Sequence, residues 1–310
     1  MRRKRFAVAY SGTKAKTVKT LAIINPASGN GKTGRGLEAI LDGLKTVNCD
    51  CRISRYRGEC RDMARSSTGY KRILAVGGDG TVHEIINGMD LAVQTLAVVP
   101  AGTGNSLARD AGIVSIESGI AAAKCGKTRD LDLMLFRVTK ANGSTHDCYG
   151  ASTASIGYAT RVTATANNRL KSLGHLCYPV ASLACSIFPQ RVPLTVSYEH
   201  GVSFNKKLTG LMIQNSRFAA NFKVIPEAVL DDGFFNVMEI NAGFVGQTFH
   251  NLSVLTQTHF YTPGITRKVT TMRLSLDRPG NVMIDGEIEQ DVKEFNVSIA
   301  PSRLACISIR

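Results

Sequence analysis

The sequence predicts an α/β domain with a parallel sheet in its first part and an antiparallel β-sandwich or barrel in its second. Three units of a strand, a glycine-rich loop and a helix follow one another within about ninety residues, which is typical of a parallel sheet. Beyond about residue 130, short runs with strand character are separated by turn residues, which indicates antiparallel strands. A chain of 310 residues is long enough for two domains with a core each.

The first unit consists of the apolar strand 21–24, the loop 25–34 and a helix that starts near Leu37. The Gly-Lys-Thr sequence at 31–33 is how a Walker A phosphate loop ends, but that motif needs a glycine five residues earlier. This chain has Pro26 there, and proline fixes φ and offers no N–H group. The residues therefore argue against a P-loop.

The second unit carries the most informative stretch, Gly-Gly-Asp-Gly-Thr at 77–81, between the apolar strand 72–76 and a helix that continues through 82–87. Glycine permits positive φ and a close backbone approach, so that successive N–H groups can bind a phosphate. The third unit repeats this arrangement, with the strand 96–100 before the loop 101–106. Because the carboxyl ends of parallel strands meet at one edge, the loops predict a nucleotide site there. A tight β–α turn is the alternative for a single loop.

The second part contains strand-like runs at 194–198, 208–214, 234–240, 272–276, 281–284, 295–299 and 304–309. Helical segments interrupt them. In one segment Val245, Phe249, Leu252 and Leu255 have the spacing of one apolar stripe, which we expect to be buried. The most apolar segment, 173–188, is too short and too broken to span a bilayer, and a core helix is its simplest interpretation.

The chain is strongly basic, and much of the charge lies at its start. The formal net charge is +14 at pH 7, and it falls to +7 without residues 1–19. The remaining charge is unremarkable, and no helix-turn-helix, zinc or aromatic RNA-binding motif occurs, so nucleic-acid binding is disfavoured. The eight cysteines form no Cys-x-x-Cys pair and follow no secretory signal, which predicts reduced cytosolic thiols.

Several further motifs accompany the loops, and they occur at 130–132, 154–157, 169–174, 226–228, 231–233 and 285–287. Together with Asn25-Pro26, the loop 77–81 and the loop 100–105, they resemble the diacylglycerol kinase-like lipid kinases, which include the sphingosine and ceramide kinases. The resemblance covers roughly residues 21 to 310. NAD kinases share the Gly-Gly-Asp-Gly-Thr loop, but the Gly-Thr-Gly-Asn loop and the late Asp-Gly-Glu favour the lipid kinases.

The resemblance implies two domains with a cleft between them. A nucleotide-binding α/β domain is expected at 20–134, and an all-β lipid-substrate domain with inserted helices at 135–297. The segment at about 298–310 is expected to return to the first domain. Residues 1–19 are expected to form a basic, flexible tail.

The resemblance also implies ATP and Mg²⁺ as cofactors. The residues that would contact ATP are Asn25, Ser54, Gly77, Gly78, Asp79, Gly80, Thr81, Glu84, Thr103, Gly104 and Asn105. As the base that accepts the proton of the acceptor hydroxyl we favour Asp285, with Glu287 as a metal-linked partner or alternative base and Asp79 near the metal or acceptor. An extended Asp-x-Glu segment places both carboxylates on one face, where they can share Mg²⁺. A plain hairpin turn is the alternative for Asp285-Gly286.

A second, structural Mg²⁺ site is implied at Asp231 and Asp232, together with the backbone carbonyl of Phe234. A simple turn before the next strand is the alternative. Some members have an aspartate where this chain has Asn236, and an amide oxygen is a weaker ligand for Mg²⁺. His83 stands where many members have asparagine, and we interpret it as a helix-start residue rather than a catalytic one.

The implied function is transfer of the γ-phosphoryl group of ATP to a lipid hydroxyl, with diacylglycerol as the first candidate. A sphingoid base, ceramide or phosphatidylglycerol would fit the same machinery, and an NAD kinase-like soluble kinase or a nucleic-acid-binding protein is a weaker alternative. We expect a cytoplasmic protein that meets its lipid at a membrane surface, where residues 1–19 contact anionic lipid or, alternatively, serve as an organellar targeting segment. The segment 173–188 would then be a mobile helix that admits the lipid tail. A homodimer is left open.

Overall fold

The protein is represented by a computed structural model that describes residues 18–199, 201, 203–262 and 264–309. Nearly all of the basic tail predicted at residues 1–19 therefore lies outside the described residues. Lys19, at the end of that segment, places its Nζ 4.6 Å from the centre of the Tyr70 ring, in a cation–π contact at the start of the fold.

The first part of the chain alternates strands with helices. In chain order its elements are β1 (Thr20–Ile24), α1 (Lys32–Arg35), α2 (Leu37–Lys45), β2 (Asp50–Ile53), α3 (Glu59–Arg65), β3 (Arg72–Gly77), α4 (Asp79–Ile86), β4 (Thr95–Pro100), α5 (Ser106–Asp110), α6 (Ile116–Cys125) and β5 (Lys127–Leu131). The three predicted units are confirmed at β1, β3 and β4. These strands are almost wholly buried, as expected for parallel strands covered on both faces.

The second part consists mainly of strands. Its elements are β6 (Met134–Lys140), β7 (Thr145–Gly150), β8 (Thr153–Gly157), α7 (Tyr158–Arg169), a 3-10 helix (Lys171–Leu176), α8 (Cys177–Ile187), β9 (Val192–Tyr198), β10 (Ser203–Leu208), β11 (Gly210–Gln214), β12 (Phe218–Ala219), β13 (Phe222–Lys223), β14 (Phe235–Ile240), α9 (Phe244–Leu255), β15 (Gly264–Val269), β16 (Thr271–Ile284), β17 (Glu287–Ile299) and β18 (Leu304–Ser308). The predicted run 208–214 is confirmed over Gly210–Gln214 (β11), whereas Leu208 ends β10 and Thr209 lies between the two strands. There the N–H group and the hydroxyl both donate to the carbonyl of Ile240, at 2.9 and 3.0 Å. The runs 272–276 and 281–284 belong to one strand, β16.

The described strands form two main sheets. The first has the order β2-β1-β3-β4-β18-β5, and its neighbours are parallel except for β18 and β5. The last strand of the chain therefore lies between β4 and β5. The predicted fold class is confirmed, while the domain boundaries at 20–134 and 135–297 stay a prediction.

The second sheet is antiparallel, with the order β15-β14-β11-β8-β16-β17-β6-β7 and with β9 and β10 attached at β16. Strand β16 shifts in register between Ser275 and Val282, so that its two halves pair with β9 and β8. The sheet curves as a result around one core, which contains the buried rings of Phe136, Phe235 and Phe295.

The two parts of the chain are tied together by polar contacts. Asn87, after α4, accepts the N–H of Tyr149 at 2.7 Å and donates from Nδ2 to the Tyr149 carbonyl at 2.9 Å. Asp110, in α5, accepts the hydroxyl of Ser216, the N–H of Arg217 at 2.8 Å and the Arg217 Nε at 2.6 Å. These bonds fix the second sheet over the loops of the first.

Helix α9 turns its apolar stripe outward, so the prediction that this stripe is buried is wrong. Val245, Phe249, Leu252 and Leu255 expose 47–63 % of their surface. The spacing defines a stripe but not its neighbour, and here the buried residues are polar: Gln247, His250 and Ser253. The core-helix interpretation of 173–188 holds for one face only, because α8 buries small side chains and exposes large ones. None of the helices in the described ranges has the length and hydropathy needed to cross a bilayer.

Candidate active site

Four loops meet at the carboxyl edge of the first sheet, where the parallel strands β1 to β4 end. Asn25, directly after β1, donates from Nδ2 to Thr81 Oγ1 at 3.0 Å, and its N–H donates to the Val76 carbonyl at 3.0 Å. Ser28 Oγ lies 3.2 Å from the same Thr81 oxygen. Thr81 is thus buried beneath the first loop, and the loops after β1 and β3 form one unit.

The loops after β3 and β4 touch each other through glycines. A Cβ atom added to Gly102 would lie 2.3 Å from the Cα of Gly78, and one added to Gly104 would lie 2.3 Å from Asp79 Oδ2. A side chain at either position would separate the loops or displace Asp79. Asn105 closes the loop after β4, since its Oδ1 accepts the Gly102 N–H at 3.0 Å and its Nδ2 donates to the Gly102 carbonyl at 2.8 Å.

Three more of the predicted ATP-contacting residues lie at this edge in different settings. Ser54 follows β2 and is buried, with its N–H donating to the Ile24 carbonyl at 2.9 Å. Glu84 accepts the N–H of Gly58 on Oε1 at 2.9 Å, so its carboxylate holds the loop after β2. Thr103 is half-buried in the loop after β4. Their contacts with ATP stay a prediction.

Asp79, the first residue of α4, is half-buried, and its Oδ1 accepts the N–H of Ser106 at 2.6 Å. Burial is the main cause that raises the pKa of Asp79 to about 6; the charge of Asp285 adds to the rise, and hydrogen bonds from Ser106 and Asn105 oppose it. A carboxylate with a pKa close to physiological pH can both accept and release a proton, which suits a general base.

Asp285 lies in the two-residue hairpin between β16 and β17, with a φ of 47° in the left-handed region. The alternative of a hairpin turn is therefore right for the backbone, yet the side chain points into the site. Its carboxylate accepts the N–H of Ala151 at 2.7 Å and those of Ser152 and Thr153 at 2.9 Å. Only 5 % of Asp285 is exposed. These donors hold the carboxylate in one orientation and use most of its acceptor capacity.

Two more side chains reach these carboxylates. Glu287 forms an ion pair with Arg57, and its Oε1 lies 2.7 Å from the place of a Cβ on Gly80. His83 Nδ1 lies 3.5 Å from Asp285 Oδ2, so His83 faces the site and is more than a helix-start residue.

Sequence reasoning missed Ser28, Arg57 and Ser106 at this site. Ser106 had a signal, because it begins a helix directly after a glycine loop. Arg57 had none, because its partner Glu287 is 230 residues away.

A cavity of about 470 Å³ begins at Asp79 and Asp285. Ser106, Ser152 and Thr153 line the same polar end. From there it extends beneath α7, α8 and α9, where its lining is mainly apolar and includes Val162, Tyr178, Leu183, Met212, Leu252 and Leu255. Such a shape suits a molecule with a polar head and an apolar tail.

The turn predicted to hold a structural Mg²⁺ is closed by ion pairs. Asp231 Oδ2 lies 2.6 Å from Arg129 Nη2, and Asp232 Oδ2 lies 2.6 Å from Lys268 Nζ. The N–H of Phe234 donates to Asp232 Oδ1 at 3.1 Å. Each carboxylate thus already has a cation from the chain, and within the described ranges no three His, Cys, Asp or Glu side chains come together to hold a metal. The residues present do not fit a structural magnesium ion.

Comparison with known proteins places these features in context. Residues 19–136 match the model of the diacylglycerol kinase catalytic domain. A diacylglycerol kinase of Bacillus subtilis is 26 % identical over 297 residues, which cover 89 % of this chain and 94 % of that protein. A Pseudomonas putida protein named "Probable lipid kinase YegS-like" is 30 % identical over 195 residues, which cover 61 % of this chain and 62 % of that protein. A crystal structure of a diacylglycerol kinase from Bacillus anthracis has a TM-score of 0.73 at 20 % identity and covers 95 % of this chain and 98 % of that one. The resemblance noted from the sequence is confirmed.

Proposed function

We propose that this chain, a lipid kinase of the diacylglycerol kinase-like family, transfers the γ-phosphoryl group of ATP to the hydroxyl of diacylglycerol, which yields phosphatidic acid. The observation that carries the proposal is the position of Asp79 and Asp285 between the glycine loops and the apolar cavity. A phosphate donor held by the loops and an amphipathic acceptor held by the cavity would meet at these two carboxylates.

The loops after β1, β3 and β4 support the ATP part of the proposal. Gly78, Gly102 and Gly104 let the loops approach each other more closely than side chains would allow, and glycine loops of this kind bind phosphate oxygens through backbone N–H groups. Mg²⁺ is usually held by phosphates together with one or two carboxylates, and Glu287, whose Oε1 lies 2.7 Å from the place of a Cβ on Gly80, is the carboxylate beside this loop that is not assigned to proton transfer. When bound there with ATP, the ion would neutralise phosphate charge.

The choice of acceptor is supported by the cavity and by the relatives that are named diacylglycerol kinases. A sphingoid base, ceramide or phosphatidylglycerol is the alternative, since each carries a hydroxyl beside apolar chains. A small polar acceptor, as in an NAD kinase-like enzyme, is disfavoured because the cavity is mainly apolar beyond its first few residues.

Asp79 is the carboxylate we propose as the base, in place of Asp285. Burial raises the pKa of Asp79 to about 6, which suits proton transfer near neutral pH. Asp285 accepts three backbone N–H groups and is better suited as a fixed charge that positions and tunes Asp79. Glu287 is engaged by Arg57.

The first test is transfer of radiolabelled γ-phosphate from ATP to a panel of detergent-dispersed lipids with Mg²⁺, followed by thin-layer chromatography. We expect labelled phosphatidic acid. A different labelled lipid would replace diacylglycerol as the acceptor. Failure to bind ATP would refute the role of the loops.

The assignment of the base is tested by the pH dependence of kcat/KM. If Asp79 acts as the base, kcat/KM should fall below about pH 6, because the carboxylate becomes protonated. Asp285→Asn removes the neighbouring charge that raises the Asp79 pKa. In this variant the fall of the residual kcat/KM with decreasing pH should therefore occur at a lower pH than in the wild type. An acid limb that disappears in Asp285→Asn would instead make Asp285 the base.

Contact with membranes belongs to the same proposal. Residues 1–19 are expected to bind anionic lipid in a salt-dependent way, which vesicle binding at low and high salt would measure. The cytoplasmic location and the homodimer stay predictions.

A further inference from the structure

Helix α9 packs on the protein through polar side chains. Gln247 and Ser253 are fully buried, and Asn251 Nδ2 donates to the Tyr158 hydroxyl at 2.8 Å and to Ser186 Oγ at 3.0 Å. On the other side of the helix, five apolar side chains expose 46–63 % of their surface, namely Phe244, Val245, Phe249, Leu252 and Leu255. A surface helix in water has the reverse arrangement, with its apolar stripe toward the core.

Helix α8 and the residue before it show the same inversion. Its buried side chains are small, at Cys177, Ala181 and Cys185. An apolar stripe at helical spacing exposes 41–56 % of each side chain, at Leu176, Val180, Leu183 and Ile187. The Ser186–Asn251 hydrogen bond joins α8 to α9. We call the exposed apolar residues of the two helices the docking face; an apolar surface of this kind marks an interaction site.

The docking face is continuous with the cavity. Val180, Leu183, Leu252 and Leu255 line the cavity, and each also exposes at least 41 % of its surface. The apolar lining therefore extends to the outside of the protein at these two helices. A molecule that enters here meets a mainly apolar surface from the exterior to Asp79 and Asp285.

The charge pattern indicates what covers the docking face. Residues 172–190 and 241–266 contain no Asp, Glu, Lys or Arg, so hydrocarbon can approach both helices without burying an ionised side chain. Arg169 and Arg191 bracket the first segment and are exposed. Uncharged apolar helices with basic flanks fit the interface of an anionic bilayer.

We propose that the docking face lies on a lipid bilayer, with its apolar side chains at the level of the headgroup and acyl boundary, and that the acceptor lipid enters the cavity between α8 and α9. The identity of the entering lipid rests on the proposed function. Docking itself needs neither ATP nor turnover, so the two can fail separately.

The chain contains no tryptophan, so Phe249→Trp supplies a single fluorescent reporter on the docking face. Val93→Trp is the matched control, because Val93 is 52 % exposed and lies just before β4, at the opposite edge of the first sheet. We use phosphatidylcholine vesicles with phosphatidylglycerol and about 0.5 M salt, which screens the basic residues 1–19. Emission from position 249 should shift to shorter wavelength and be quenched by lipids with brominated chains, whereas emission from position 93 should not. Unshifted emission at 249 while the protein sediments with the vesicles would overturn the proposal.

A second variant measures what the docking face contributes. Val245→Gln combined with Phe249→Gln removes two exposed side chains that do not line the cavity, and we expect vesicle partitioning to fall about 100-fold, at roughly tenfold per side chain. Val93→Gln should partition like the wild type. Equal partitioning of the double variant, with its circular dichroism unchanged, would refute the proposal. So would a lipid-free dimer that the double variant abolishes, which would assign the face to a second copy of the chain.

Phosphorylation of a monomeric short-chain diacylglycerol separates the two proposals. The double variant should retain this activity, because the substrate reaches the cavity without a bilayer. If the wild type also fails to phosphorylate the short-chain diacylglycerol, the proposed acceptor is refuted, while the vesicle result is unaffected.

Discussion

Asp79→Asn should produce a protein that is inactive and more stable, although Asp79 lies in the middle of the site. The reason is that the folded state raises the pKa of this carboxyl above its ordinary value of 3.8, to about 6. Between these two values the folded state binds more protons than the unfolded state, so the free energy of unfolding falls as pH rises. Above about pH 6 the loss of stability caused by ionising this carboxyl in the folded state is fully present. Asparagine removes it and can still accept the Ser106 N–H.

The size of the stabilisation by Asp79→Asn follows from the rise in the pKa of Asp79. A rise of the pKa from 3.8 to about 6 corresponds to about 3 kcal/mol at neutral pH. Asp79 is only half-buried, and screening by solvent reduces the expected gain to about 1–2 kcal/mol. That gain would raise the Tm of a 310-residue chain by about 2–3 °C.

The same replacement at Asp285 should have the opposite effect on stability. Asparagine has one carbonyl oxygen, and its amide would face the N–H groups of Ala151, Ser152 and Thr153. A buried N–H left without an acceptor costs about 1–3 kcal/mol. Asp285→Asn is therefore the matched control, since it changes the same chemical group in the same site.

The assay is urea unfolding of both variants and the wild type between pH 4 and pH 8. The advantage of Asp79→Asn over the wild type should be present at pH 7 and should disappear toward pH 4, where Asp79 is protonated in both states. If Asp79→Asn is destabilised as much as Asp285→Asn, or if its advantage does not depend on pH, the account of Asp79 as a carboxyl with a raised pKa is wrong.

Three other outcomes can be measured directly. Gly102→Ala should destabilise the protein by about 1–3 kcal/mol and weaken ATP binding, because its Cβ would lie 2.3 Å from the Gly78 Cα. The control Gly280→Ala should have neither effect, because its Cβ would make only ordinary contacts. Equal stability and ATP binding in the two variants would contradict the close approach of the loops. Mg²⁺ without nucleotide should leave the Tm unchanged, because Arg129 and Lys268 already neutralise the turn at Asp231 and Asp232. Arg129→Gln should lower the free energy of unfolding by no more than about 1 kcal/mol. A rise of the Tm with Mg²⁺ would place a metal in that turn. Asn87→Ala should lower both kcat/KM and stability, because it removes the two hydrogen bonds to the backbone of Tyr149. An unchanged kcat/KM would show that this contact does not hold the cleft.

The loops at the carboxyl edge of the first sheet could be predicted from the sequence because their signals are local. A buried strand, glycines and a helix start follow one another in the chain, and parallel pairing then brings the loops together. The contact of Gly78 with Gly102 is a consequence of that pairing. The break at Thr209 had no such local signal, because its N–H and hydroxyl both bond to the distant carbonyl of Ile240, and the predicted run 208–214 holds only from Gly210 onward.

Contacts between distant segments had no such signal. The pairing of Glu287 with Arg57 and the three N–H groups around Asp285 depend on how the second sheet stands over the first. The stripe on α9 was found at the right spacing but assigned to the wrong side. Periodicity reports that apolar residues share a face, and burial of that face depends on what lies next to it.

The position of β18 has a consequence for how the protein is made. This strand separates β4 from β5, and about 170 residues lie between the end of β5 and Leu304. At ordinary rates of translation, the nascent chain needs about 10–35 s to cross that distance. Throughout this time the facing edges of β4 and β5 lack their common partner, and an unpaired edge invites wrong pairing. The first sheet, although most of it is encoded first, can therefore be completed only when Leu304–Ser308 have left the ribosome.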